Sequence, residues 1–206
     1  MLRDRVKEYL LEQIRKNNLQ VGKVINLAAL ARETDISVTP IREALSQLEE
    51  SQIIQSVPNR GFIVPELTMK EARDLYETVS QLEIIALESS EINAKLIEKL
   101  RKQQLRLQQS HTPITRLDQR FKFHDLLVEN CSNKVLINIL DKLKSRIRFY
   151  EYILVKEASF YENSDNQNEG IIRALEENNV PTAVLILKMN WMMVLQYIEK
   201  RLSPIE

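Results

Sequence analysis

From Met69 onward the apolar residues recur at steps of three and four, a period that α-helices satisfy and strands do not. Met69 to Ser90 carries Ala72, Leu75, Tyr76, Val79, Leu82 and Ala86 in that register. Leu96, Leu100 and Leu107 mark a second helix, ending near SHTP, and Ile114 to Asn130 reads as a third. Leu136, Ile139, Leu143, Ile147, Tyr150 and Leu154 line one face of a long fourth. The polar stretch YENSDNQN, residues 161–168, reads as a loop or a helix entry. Helices follow at Gly170 to Asn178 and Pro181 to Leu202, and Pro181 suits a helix start because its missing N–H has no partner there anyway. Three glycines in 206 residues agree with a bundle of about six helices.

The first 66 residues have another rhythm. An amphipathic helix spans Leu2 to Lys16 with Val6, Leu10 and Ile14 on one face. Asn26 is placed to cap a short helix, Leu27 to Thr34, and a third helix, Val38 to Ser51, turns Ile41, Ala44, Leu45 and Leu48 inward. Two β-type runs, IIQSV and FIV, are joined by PNRG. Three short helices and a two-stranded hairpin form a winged helix-turn-helix. The expected fold is therefore mostly α: a winged unit over residues 1–66 and a helical bundle over 67–206.

In a helix-turn-helix unit the first residues of the second motif helix meet base edges in the major groove. Pro40 costs little there, since first-turn N–H groups lack helical partners. Ser37 or Thr39 caps the helix, leaving hydroxyls and N–H groups for DNA phosphate. Arg42, in the same turn, has the fork geometry for guanine. Gly61 lets the hairpin turn tightly against a phosphate or minor groove, with Asn59 and Arg60 beside it. The other reading of the same residues makes Pro40 a helix starter, Gly61 a hairpin glycine and Arg42 a solvated charge.

The stretch NLAALARETDISVTPIREALSQLEESQIIQSVPNRGFIV resembles the DNA-binding domain of GntR-family bacterial transcription regulators. Ser37, Thr39, Pro40, Arg42, Glu43, Ala44 and Leu45 match its Ser-Arg-Thr-Pro-Val-Arg-Glu-Ala-Leu pattern, and Arg60 and Gly61 match its wing. Val38 stands where the family usually has a DNA-contacting arginine. The later segments LYETVSQLE, FHDLLVENCSNKVL and IIRALEENNVPTAVLILKMNW are similar to the FCD ligand-binding domain of the FadR subfamily. The resemblance implies a homodimeric regulator, a repressor by family habit, which binds an inverted-repeat operator in double-stranded DNA and responds to a small effector.

Many FCD domains hold a divalent metal with one Asp and three His, and the metal helps bind a small carboxylate. Here His124 occupies one His position, Arg120 stands in place of the Asp, and Asn168 and Asn190 align with the other two His. Asp118 is six residues from His124 and lies on another face of a 3.6-residue helix. One imidazole, two amides and a guanidinium are poor ligands for Zn and its relatives. The expectation is no metal and no cofactor. In their place an anion pocket is expected, with Arg120, His124, Asn168 and Asn190 around a carboxylate or phosphate and Arg146 as a further clamp. The alternative reading is that His124 and Asn190 satisfy each other or the backbone while Arg120 faces solvent.

Net charge lends no help to a nucleic-acid partner: 29 basic and 29 acidic side chains balance over the chain, and nine of each over residues 1–66. That balance is the main support for a rival reading, a helical adaptor whose winged unit contacts protein. The lone Cys131 fits a reducing compartment, and the N-terminus lacks an apolar signal core. The most apolar run, Ala183 to Ile198, is interrupted by Lys188, Asn190 and Gln196 and does not span a bilayer. A cytoplasmic protein without a membrane partner is expected. Two histidines, with no nucleophile elbow or phosphate loop, argue against an enzyme.

Overall fold

The computed structural model describes residues 2–16, 18–19, 21–50, 53–157, 160 and 162–203. They form two compact units, Met1–Leu67 and Thr68–Glu206. The first holds α1 (Leu2–Arg15), α2 (Leu27–Thr34), α3 (Val38–Glu50), β1 (Gln55–Val57) and β2 (Gly61–Ile63). The second holds α4 (Met69–Glu88), α5 (Ala94–Gln108), α6 (Pro113–Leu127), α7 (Lys134–Leu154), α8 (Glu162–Glu176) and α9 (Val180–Leu202).

In the first unit the predicted apolar faces meet: Val6, Leu10 and Ile14 of α1 pack with Leu30 of α2 and with Ile41, Ala44, Leu45 and Leu48 of α3, all buried. Asn26 caps α2 as expected, its side chain accepting from the Ala29 N–H at 3.0 Å. The strands pair antiparallel with Ser56 opposite Phe62 and Val57 opposite Gly61. Asn59 and Gly61 both take positive φ, 60° and 101°, so the PNRG turn needs a residue tolerant of the left-handed region at each. The segment before α2 adds a third edge, where the Ile25 N–H donates to the Phe62 carbonyl at 2.7 Å. Ser51, the expected last residue of α3, lies outside the described residues.

In the second unit five of the helices start on a side-chain cap. Thr68 accepts from Glu71, Asn93 from Leu96, Asn133 from Leu136 and Asn179 from Thr182, each at 3.0–3.1 Å. Thr112 and Thr115 form a reciprocal capping box before α6, with Pro113 at the first helical position. These caps fix where the helices begin, and their packed faces fix the rest. The core runs through Tyr76, Val79, Leu87, Leu96, Leu100, Phe123, Leu140, Ile147, Ile172, Leu187 and Trp191. One boundary departs from expectation. The helix placed at Gly170 to Asn178 starts at Glu162, so of the two readings of the polar stretch, residues 162–168 take the helix entry. Its inward positions, Ser164 and Asn168, are polar, and apolar periodicity cannot register them.

Candidate DNA interface and buried polar cluster

The residues expected to meet DNA are held on rigid elements. Ser37 immediately precedes α3, and Thr39, Pro40 and Arg42 fall in its first turns. Ser37, Thr39 and Arg42 are exposed while Ile41 between them is buried, so the helix presents the motif outward with its core face anchored. Pro40 is half-buried. In the wing, Asn59 and Arg60 are exposed and the Arg60 N–H closes the turn on the Val57 carbonyl at 3.0 Å. The Ser56 N–H donates to the Glu49 carboxylate at 2.8 Å, which ties the first wing strand to the end of α3. Val38 is 38% exposed, an apolar side chain on the surface where the GntR pattern carries arginine.

The helical unit buries a polar cluster around Trp191. Arg120, His124, Asn168 and Asn190 are all fully buried, and the fold brings them together. One Arg120 guanidinium nitrogen donates to both oxygens of Glu151, at 3.0 and 3.2 Å, and the other terminal nitrogen reaches Asn190 Oδ1 at 3.4 Å. Asn190 Nδ2 donates in turn to Ser164 Oγ at 3.0 Å and to Asn168 Oδ1 at 3.4 Å. The Arg120 guanidinium carbon and the His124 ring each lie 4.6 Å from the Trp191 ring centre.

Glu83 anchors the other side. Its Oε2 accepts from Trp191 Nε1 at 2.6 Å and lies 2.7 Å from His124 Nδ1, while Oε1 is 3.0 Å from Lys144 Nζ. Burial opposes the Glu83 charge, but the neighbouring cations and the donated hydrogen bonds outweigh it and hold its pKa at about 2. Burial pushes the His124 pKa below 6.5; Glu83 opposes this, and the Arg120 and Lys144 charges add to it, so the ring is neutral at pH 7. Lys144 is therefore the counter-ion of Glu83 at that pH. Burial works against the Lys144 charge, yet Glu83 and Asp125 together raise its pKa. An ionised Glu83 has no proton to give, so His124 Nδ1 carries the hydrogen and Nε2 the lone pair.

A profile described as "Bacterial regulatory proteins, gntR family" matches residues 2–64, and one for the FCD domain matches residues 74–190. The chain belongs to the gntR family and carries an FCD domain. The HTH-type transcriptional regulator YdhC of Bacillus subtilis is 31% identical over 148 residues, 68% of this chain and 65% of that protein. The Nta operon transcriptional regulator of Aminobacter aminovorans is 30% identical over 138 residues, 64% of this chain and 65% of that one. The matched part thus spans about 65% of the length of these relatives. The solved structure of McbR/YncC from E. coli superposes with a TM-score of 0.77 at 17% identity, covering 98% of this chain and 99% of that one. A GntR family member from Pseudomonas syringae pv. tomato gives 0.58 at 22% identity, covering 96% and 84%. At such identities the likeness speaks to the fold.

Against the FCD metal set of one Asp and three His, this cluster does not fit a divalent cation. Arg120 has no lone pair to give and brings a positive charge, and Asn168 and Asn190 offer only neutral amides. Among the described residues no group of three His, Cys, Asp or Glu is placed to hold a metal. The anion expectation also changes its footing. Arg120 is not an uncompensated cation, because Glu151 meets it two-fold, and Arg146 is turned to Glu71 of α4 and to the Tyr150 hydroxyl. The alternative with Arg120 on the surface fails equally, since its side chain is fully buried. Glu83, Lys144, Glu151, Ser164 and Trp191 complete the cluster and were not singled out from sequence. Glu83 and Glu151 sit within apolar helical faces, and a charge inside such a face was the available signal.

Proposed function

We propose that the chain is a homodimeric transcription repressor that binds an inverted-repeat operator through α3 and the wing, and that its DNA affinity changes when a small polar metabolite occupies the Arg120 cluster. The observation that carries the DNA half is the exposed Ser37, Thr39 and Arg42 motif on the first turns of α3, backed by a fully buried inner face. The repressor sense takes support from the E. coli protein described as HTH-type transcriptional repressor GlaR, 20% identical over 95% of this chain and 94% of that one.

Dimerisation is assigned to α4 and α9. Ile85, Leu185 and Met189 are 48%, 59% and 53% exposed, and half-buried Leu82 and Met192 line a neighbouring groove of about 490 Å³ with Lys188 and Gln81. A second copy is the occupant a twofold operator requires, because one recognition helix touches few bases and two half-sites need a matching protein symmetry. Selection from random duplex DNA tests the reading. The expected product is an inverted repeat whose binding weakens steeply with salt, as phosphate neutralisation demands. No enrichment, or salt-insensitive binding, overturns it in favour of a protein-contact role.

A further inference from the structure

The metabolite site proposed above sets chemical demands of its own, and the following inference rests on that reading. Among the described residues, four atoms of the cluster are buried and lack a hydrogen-bond partner; one, Glu83 Oε1, faces the Lys144 ammonium at 3.0 Å, which leaves three open: Arg120 Nε, His124 Nε2 and Asn168 Nδ2. They sit on side chains already joined through Asn190 and Trp191. Buried polar atoms are rarely left bare, so each calls for a water or a ligand atom. Two of them are donors. The third is a lone pair, since His124 gives its hydrogen to Glu83.

The formal charges around them already cancel. Arg120 is balanced by Glu151, and Lys144 by Glu83, with all four side chains nearly or wholly removed from water. A carboxylate entering this arrangement adds a negative charge with no free cation to meet it, or must displace Glu151 and strand that charge in turn. An uncharged molecule meets all three open atoms without that penalty. We propose that the cluster binds an uncharged small molecule with oxygen acceptors for Arg120 Nε and Asn168 Nδ2 and an O–H or N–H donor for His124 Nε2, a hydroxylated amide or carbonyl compound rather than an organic acid. Glu151 sets this preference by cancelling Arg120.

The test uses matched pairs on the full-length protein: lactate, malate and tartrate against lactamide, malamide and tartramide, at equal millimolar concentration and ionic strength. Equilibrium dialysis and thermal shift are read at pH 7.5, where His124 is neutral. The expected result is binding of at least one amide roughly tenfold or more tighter than its acid. Glu151→Gln, which frees the Arg120 charge, should reverse that order, and acid binding gained only in this variant supports the charge rule. The double variant Arg120→Gln/Glu151→Gln should lose the response, which separates a site from a general cosolvent effect. Should Glu151→Gln not fold, the wild-type pairs decide alone. Acids binding the wild type as well as or better than amides overturn the charge argument and leave the metabolite site standing. Silence of every compound on wild type and variants overturns both, and leaves the open atoms to water.

Discussion

Replacing Glu83 by Gln tests whether the cluster is held by charge or by shape. The side chain keeps its size and one carbonyl oxygen, but Lys144 loses its buried counter-ion and keeps only Asp125, whose carboxylate is 60% exposed. Breaking a buried pair by removing one partner costs about 3–5 kcal/mol. For a chain of this size that lowers the melting temperature by roughly 10 °C. Fluorescence of Trp191, the sole tryptophan, reports unfolding directly, because its indole N–H donates to Glu83. Adding Lys144→Met removes the stranded cation and should restore most of the loss. The pH dependence has a definite sign. A depressed carboxyl pKa stabilises above the unfolded value near 4.5 and loses that contribution as pH falls towards 2, so wild type carries a slope there that Glu83→Gln lacks. A cost below about 1 kcal/mol, or a double variant no better than the single one, refutes the charge-pair account.

Arg42→Ala should weaken operator binding by roughly 1–3 kcal/mol and relax specificity at one base pair per half-site; equal weakening on all sequences, measured by fluorescence anisotropy, makes it a phosphate contact instead. The depressed pKa of His124 means the unfolded chain takes up its proton first, so stability of the helical unit falls as pH drops below 6.5. Urea titrations of His124→Asn should show that slope flattened, and an unchanged slope assigns it to another group. Residues 68–206 should sediment as a dimer at micromolar concentration, and Leu185→Glu with Met189→Lys should make them monomeric; a monomeric wild-type fragment rules out the α4–α9 face. The purified protein should carry no stoichiometric Zn, Ni or Mn by elemental analysis, and one tightly held transition metal per chain contradicts the donor-set argument.

Most of the fold was legible because its elements follow local rules. Helical spacing in 69–90, 96–107 and 136–154 placed α4, α5 and α7 within a few residues, and Pro181 located the start of α9. Turn chemistry located the wing, with Asn59 and Gly61 in the left-handed region. The entry of α8 stayed open between loop and helix for a physical reason: Ser164 and Asn168 share its inward face through a spacing of four, but they bury amide and hydroxyl rather than hydrocarbon. Of the candidate site, Arg120, His124, Asn168 and Asn190 were found and do meet. Their counter-charges were not, because Glu83 and Glu151 come from α4 and α7, and sequence spacing within one helix says nothing about which residue on another helix will face it.

That pairing gives α6 a role no linear motif displays. Arg116, Arg120 and His124 recur every four residues on its inner face, and each meets a carboxylate from a different helix: Asp165 of α8, Glu151 of α7 and Glu83 of α4. The first two pairs are ionic, while the third is a hydrogen bond to a neutral ring whose charge balance is delegated to Lys144. Interlocked hydrocarbon side chains already resist sliding, and a buried ion pair adds to that resistance because both partners are desolvated. The helix bearing the cluster is thus pinned at three heights to three neighbours. A metabolite seated against Arg120 Nε and Asn168 Nδ2 acts on groups whose partners lie on α7 and α9, and it can alter DNA binding only to the extent that it favours one arrangement of those helices over another.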